Sequence, residues 1–198
     1  MTLAERAAAY ARTFPGRPPL QLVEEGGGPA LYGVWVMGND YRLRSKFYGA
    51  YPHGYLPRVM ALFPEFVEPR VPGHVLHLFS GSLPPGNYER CDEVQDSELP
   101  VSVYELPNTV LNCRPRLILA DPPYSAADAE KYGTAMVNRV RVFRTLAQVT
   151  DPGAFVVWLD TTWPMHRKDQ WRTVGRITLV RSTNHRVRLV SIFERVGA

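Results

Sequence analysis

The chain has 198 residues, 45% hydrophobic and 21% charged, which is enough for one substantial core and too little for two. Its eighteen prolines and fifteen glycines follow no period, which excludes a collagen-like or low-complexity chain and leaves turn punctuation in a compact fold. The net charge is only +4, but residues 161 to 198 hold eight Lys or Arg against two acids, a surface suited either to a polyanion or to a solvated hairpin face.

Residues 2 to 13 are spaced as a short helix, which the prolines and three consecutive glycines of "GRPPLQLVEEGGGPA" then interrupt. Residues 1–30 therefore read as an N-terminal arm on a single domain spanning 1–198. "LYGVWVMG" reads as a strand, and beyond it Leu56, Val59, Met60 and Phe63 fall at i, i+3, i+4 and i+7, one face of a helix. Four short apolar segments then look like parallel strands buried on both faces: 74–79, a weaker 101–106, 116–120 and 154–160. The stretch between the last two is long enough for a crossover helix with Met136, Val140, Phe143 and Ala147 on one stripe, stopped by "DPG". "GRITLVRS" and "RVRLVSIFERV" read as two strands joined by a tight turn at Thr183 and Asn184. The expected fold is a mixed, mostly parallel α/β sheet ending in an antiparallel hairpin, with ligands at the carboxyl ends of the parallel strands near the point where strand order reverses.

Cys91 and Cys113 lack CxxC spacing, and the five histidines do not cluster with carboxylates, so neither a disulfide framework nor a metal site is expected. "MTLAERAAAYARTF" contains an acidic residue and no unbroken apolar run, and nowhere do eighteen apolar residues stand together. No membrane association is expected, and the cytoplasm is the default compartment.

The most informative stretch is "LILADPPYSAADAEKYG" at 117–133. An apolar strand ends in Asp121, and Pro122 and Pro123 have no N–H, so the loop offers acceptors and almost no backbone donors. It suits a ligand that donates hydrogen bonds, such as a flat conjugated amino group whose two N–H bonds meet Asp121 and the Pro122 carbonyl while Tyr124 stacks on the attached ring. Such acceptors favour pyramidalisation of the nitrogen, a change realised more fully in the transition state than in the ground state. The plain alternative is a rigid turn after a strand, with the tyrosine covering a core edge.

"VLHLFSGS", followed about forty residues later by "DPPY", resembles the class I methyltransferases that use S-adenosyl-L-methionine to modify exocyclic amino groups of nucleic-acid bases. The resemblance runs from about residue 46 onward and implies a Rossmann-like methyltransferase fold with that cofactor. Matched position by position, it implies that Phe79, Ser80 and Gly81 form the cofactor turn, that Asp92 accepts from the ribose hydroxyls and that Glu105 lies near the adenine. Asp121, Pro122, Pro123 and Tyr124 match the target-amine site. "YPHGYLP" at 51–57 is similar to a His-Pro block in some DNA amino-methyltransferases, which implies that His53, Tyr55 and Pro57 help form the methionine pocket; Tyr55 and Leu56 also begin the apolar helix face. Two positions depart from the family. His77 stands where an acidic residue is usual, and only the ten residues "SLPPGNYERC" separate Gly81 from Asp92, too few for the usual helix and strand.

The resemblance implies methylation of a base amine in nucleic acid, with the order of motifs favouring DNA at N6 of adenine or N4 of cytosine. Extruding a base from a duplex requires a basic surface for the backbone, for which Arg167, Lys168, Arg172, Arg181, Arg186 and Arg188 are the candidates, although strand alternation sends some to opposite faces. No separate base-reading region is visible, which leaves room for a specificity partner. The alternatives are an RNA methyltransferase acting on guanine N2 or adenine N6, and a catalytically silent methyltransferase-fold module that binds nucleic acid or protein.

Overall fold

The computed structural model describes residues 1–38, 51–67, 73–182 and 185–197; the turn expected at Thr183 and Asn184 lies outside the described residues. Helix α1 (Leu3–Thr13) begins at a capping box in which Thr2 and Glu5 satisfy each other's backbone N–H. The stretch expected as an arm packs into the body of the fold. Tyr10 is fully buried and stacks on Trp35 with ring centroids 5.8 Å apart, and Arg6 donates to the Leu62 carbonyl at 2.9 Å. Strands β1 (Gln21–Glu25) and β2 (Gly28–Met37) then form an antiparallel hairpin. In α2 (Tyr55–Leu62) the buried face is Tyr55, Val59 and Leu62 with Arg58 and Ala61, while Leu56 and Met60 are half-buried. That face is rotated from the expected one because α2 must cover the sheet and meet α1 together.

Strands β3 (Val75–Leu78), β5 (Leu117–Ala120) and β6 (Phe155–Asp160) are buried along their whole length, as parallel strands between two layers must be. The short β4 (Glu89–Cys91) escapes a hydrophobicity reading because two of its three residues are charged. Both charges find partners: Glu89 accepts at Oε1 from the backbone and side chain of Asn112, and Arg90 forks onto Glu98 at 2.8 and 2.9 Å. Segment 101–106, expected as a weak strand, belongs instead to a 3-10 helix, Val103–Asn108. Ser102 and Glu105 cap its start, and Pro107 has no N–H for a sheet ladder. The crossover is two helices, α3 (Ala126–Tyr132) and α4 (Arg139–Val149), because Gly133 adopts a left-handed conformation at φ 71° and Asn138 caps a new start. Met136 therefore lies in the connection, and the stripe packed on the sheet is Val142, Phe143, Leu146 and Val149. Each such burial contributes about 2 kcal/mol.

With β7 (Trp171–Arg181) and β8 (Val187–Arg195), the strands form one eight-stranded mixed α/β sheet in the order β1-β2-β7-β8-β6-β5-β3-β4. All run parallel except β1 and β8, and β8 lies antiparallel between β6 and β7. Alternation divides the core: Leu117, Leu119, Val157 and Leu159 face α1 and α2, while Ile118, Ala120, Val156 and Trp158 face α4 and the 3-10 helix. From β3 the chain goes outward to β4 and then returns across β3 to β5. Strand order thus reverses between β3 and β5, and a crevice opens beyond their carboxyl ends. Among the described residues no helix is long and apolar enough to cross a membrane.

Candidate active site

Beyond Leu78 the chain leaves the sheet through two left-handed residues, Phe79 at φ 54° and Gly81 at φ 53°. Glycine takes this conformation freely; phenylalanine does so at a cost, so the surrounding structure must hold it there. Its ring is fixed edge-on to Trp158, with centroids 6.2 Å apart. Asp92, just past β4, ties the turn down: its Oδ2 accepts from the Gly81 N–H at 2.8 Å, and its Oδ1 accepts from the N–H groups of Val94 and Gln95, both at 2.9 Å. No helix follows the turn; residues 82–88 run as loop into β4. One lone pair of Asp92 Oδ2 is left for a ligand.

One strand over, Asp121 follows Ala120 at the end of β5. The Tyr124 hydroxyl donates to Asp121 Oδ1, Pro122 and Pro123 are buried, and Ser125 caps α3 by accepting from the Asp128 N–H at 3.1 Å. The helix start thus fixes where the Asp-Pro-Pro-Tyr loop must end. Burial raises the Asp121 carboxyl from its ordinary 3.8 to about 6, against the Tyr124 hydroxyl and Arg188, which lower it, while Asp160 adds to the rise. Asp160, fully buried at the end of β6, accepts from Arg139 Nε at 2.6 Å, from the Trp158 indole at 2.9 Å and from the Thr161 N–H at 2.7 Å. Behind Asp121 stand Tyr51 and Tyr55, stacked with centroids 5.4 Å apart; burial and then Asp121 hold both phenols well above their ordinary pKa. His77, where the resemblance leads one to expect an acidic residue, lies 3.2 Å by Nδ1 from the Tyr51 hydroxyl, and burial drops its pKa to about 3. It is therefore a neutral packing group.

These elements enclose a cavity of about 1120 Å³, larger than most single small-molecule sites. It brings together His53, Phe79, Gly81, Asp92, all four residues of Asp121–Tyr124, and Arg181, Arg186 and Arg188. Other expected site residues lie elsewhere. Tyr55 is fully buried in the core, Pro57 is exposed on α2, and Ser80 is buried beside the turn without lining the cavity. Glu105 points into capping: its carboxylate accepts from the Ser102 N–H at 3.2 Å. Arg172 lies at the start of β7, nine positions from Arg181 and so about 30 Å away along the strand. It pairs with Glu194, and Arg167 pairs with Asp169, so this half of the basic tail, with Lys168, belongs to the opposite edge of the sheet.

Sequence reasoning missed much of the wall, including Tyr51, Val101–Tyr104, Lys131, Tyr132, Thr134 and Val137. Only the Ser102–Glu105 spacing of a capping box was readable locally; the rest reach the cavity through the fold. Thr134 Oγ1 is buried there without a hydrogen-bond partner among the described residues. A scan against protein-family models and a search of curated proteins gave no match to the chain.

Proposed function

We propose that this cavity transfers a methyl group from S-adenosyl-L-methionine to the exocyclic amino group of a nucleic-acid base, foremost in DNA at N6 of adenine or N4 of cytosine. The observation that carries the reading is the meeting, in one cavity, of the Phe79–Gly81 turn with Asp92 behind it and the acceptor-rich Asp121–Tyr124 loop. They stand at the ends of the two strands that flank the reversal of strand order. A parallel run closed by a hairpin whose last strand inserts antiparallel supports a Rossmann-like methyltransferase fold. Cys91 and Cys113 form no disulfide with each other, which suits the cytoplasm as the place of action.

The residues present fit the cofactor chemically. Phe79, Val103 and Tyr104 would hold a flat ring, while Asp92 Oδ2 and the unpartnered Thr134 Oγ1 would take polar groups. When bound, the cofactor supplies a methyl group on a positively charged sulfur. The chain does the rest by orientation. Asp121 and the Pro122 carbonyl accept the two amine N–H bonds, and Tyr124 offers its ring to the base. With its pKa near 6, Asp121 is also suited to take, at Oδ2, the proton the nitrogen sheds.

A second reading, a silent module that binds nucleic acid, is favoured by Asp92 itself, whose Oδ1 is saturated by backbone N–H groups and whose turn is followed by no helix. Transfer of a radiolabelled methyl group to mixed DNA and RNA pools, followed by nucleoside analysis, separates the two. We expect label on one nucleoside with wild type and a loss of at least about 100-fold in Asp121→Ala, with cofactor binding kept. Label in Asp121→Ala equal to wild type would refute the chemistry. Binding of nucleic acid without label in either protein would establish the silent module.

A further inference from the structure

Three arginines close the β7–β8 side of the cavity mouth: Arg181 at the end of β7, and Arg186 and Arg188 around the start of β8. They crowd one another. Burial lowers the Arg181 pKa and the charges of Arg188 and Arg186 lower it further, a repulsion that a bound anion relieves. Among the described residues Arg188 makes no ion pair. Its guanidinium lies instead over the ring of Tyr124, 4.7 Å from the centroid, and the Tyr124 hydroxyl is in turn committed to Asp121 Oδ1. One face of the stacking ring and one lone pair of the acceptor are thus engaged by a single internal chain, Arg188 to Tyr124 to Asp121.

A guanidinium over an aromatic face is held weakly beside one that meets a phosphate through paired charge-assisted hydrogen bonds. A substrate carrying a phosphate offers Arg188 the stronger partner and uncovers the ring in the same event. A free nucleoside must displace the cation with nothing in return. We propose that Arg188 is a specificity-determining residue of this site: a phosphate on the substrate draws its guanidinium from the Tyr124 ring, so a base on a phosphorylated nucleotide is admitted and the free nucleoside is not. The inference rests on reading Tyr124 as the platform for the target base. A mononucleotide and a polynucleotide present the same chemistry to Arg188.

The test uses 2-aminopurine, whose emission is quenched by aromatic stacking, supplied as the nucleoside, as the 5′-monophosphate and at the centre of a single-stranded trinucleotide. Each is titrated into wild type, Arg188→Ala, Arg188→Lys and, as a control at the far edge, Arg172→Ala. Wild type and Arg172→Ala are expected to bind at least one phosphorylated form about tenfold or more tighter than the nucleoside, the scale of one hydrogen bond to a charged group. In Arg188→Ala the ratio should fall to about twofold or less, because the phosphorylated form loses a contact and the nucleoside finds the ring already open; Arg188→Lys should recover part of it. Quenching of both phosphorylated forms, or of the trinucleotide alone, supports the proposal and identifies the source of the phosphate. A preference that survives in Arg188→Ala, equal binding of all three forms by wild type, or no quenching by any, overturns it. Methyl transfer to unmodified DNA and RNA is measured on the same preparations. Transfer without phosphate preference defeats this proposal alone, and preference without transfer defeats the methyltransferase reading alone.

Discussion

At Asp121 folding and the proposed transfer pull in opposite directions. Burial raises its carboxyl from 3.8 to about 6, so between those values the folded chain holds a proton that the unfolded chain has released. Stability must therefore fall as pH rises from about 4 to about 6, and level off above. The proposed transfer needs the ionised acceptor and so must climb through the same window. We expect the melting temperature of wild type, measured against Asp121→Asn, to drop across this range while the transfer rate rises, both becoming flat above about pH 7. A melting difference that is constant from pH 4 to 7 would show that the carboxylate is not penalised by its surroundings. The acceptor character of this loop was legible in four consecutive letters, because the missing N–H of proline is a property of the residue alone. The raised pKa was not, because it comes from burial by the assembled fold and from Asp160 on another strand. Glu105 shows the converse: the resemblance implies a place near a ligand, and the local Ser-x-x-Glu spacing names the use the fold makes of it, as a cap.

Among the elements, those whose burial follows from their own apolar letters, β3, β5 and β6, were readable, and those stabilised by distant partners were not. Strand β4 is held by Asn112 and Glu98, which no window around Glu89–Cys91 contains. The break between α3 and α4 had a signal in Gly133 and in Asn138 as a cap, but the even apolar spacing across it hid the boundary. The crossover also depends on a buried pair that periodicity does not register. Arg139, in the first turn of α4, reaches Asp160 at the end of β6, which also accepts from the Trp158 indole and the Thr161 N–H. This contact pins the second half of the crossover beside the Asp121 loop. Asp160→Ala strands the guanidinium and the indole together, and we expect a loss of about 3 kcal/mol in urea unfolding. Asp160→Asn, which keeps an acceptor for the indole, should lose less. Equal losses in the two variants would mean that the charge, and not the hydrogen bonding, is what the helix start requires.

For the whole molecule, composition counted the charges of the basic tail but could not divide them. Strands β7 and β8 carry it the full height of the sheet, so Arg181, Arg186 and Arg188 arrive at the cavity mouth while Arg172 goes to the opposite edge, where Glu194 pairs with it. The reversal of strand order between β3 and β5 then decides which edge matters, and no local reading contains that fact. A nucleic acid whose base enters the cavity meets three arginines and not a long basic track. Each phosphate neutralised on a single strand contributes about −0.7 to the slope of log affinity against log salt, so three give about −2. Titrating a single-stranded dodecamer at several salt concentrations should return that slope for wild type, a shallower one by about 0.7 for Arg186→Ala, and an unchanged one for Arg172→Ala. A slope steeper than about −4, or one that flattens in Arg172→Ala, would mean that the strand runs down β7 to the far edge. The partner would then be read by the face of the sheet as well as by its carboxyl end.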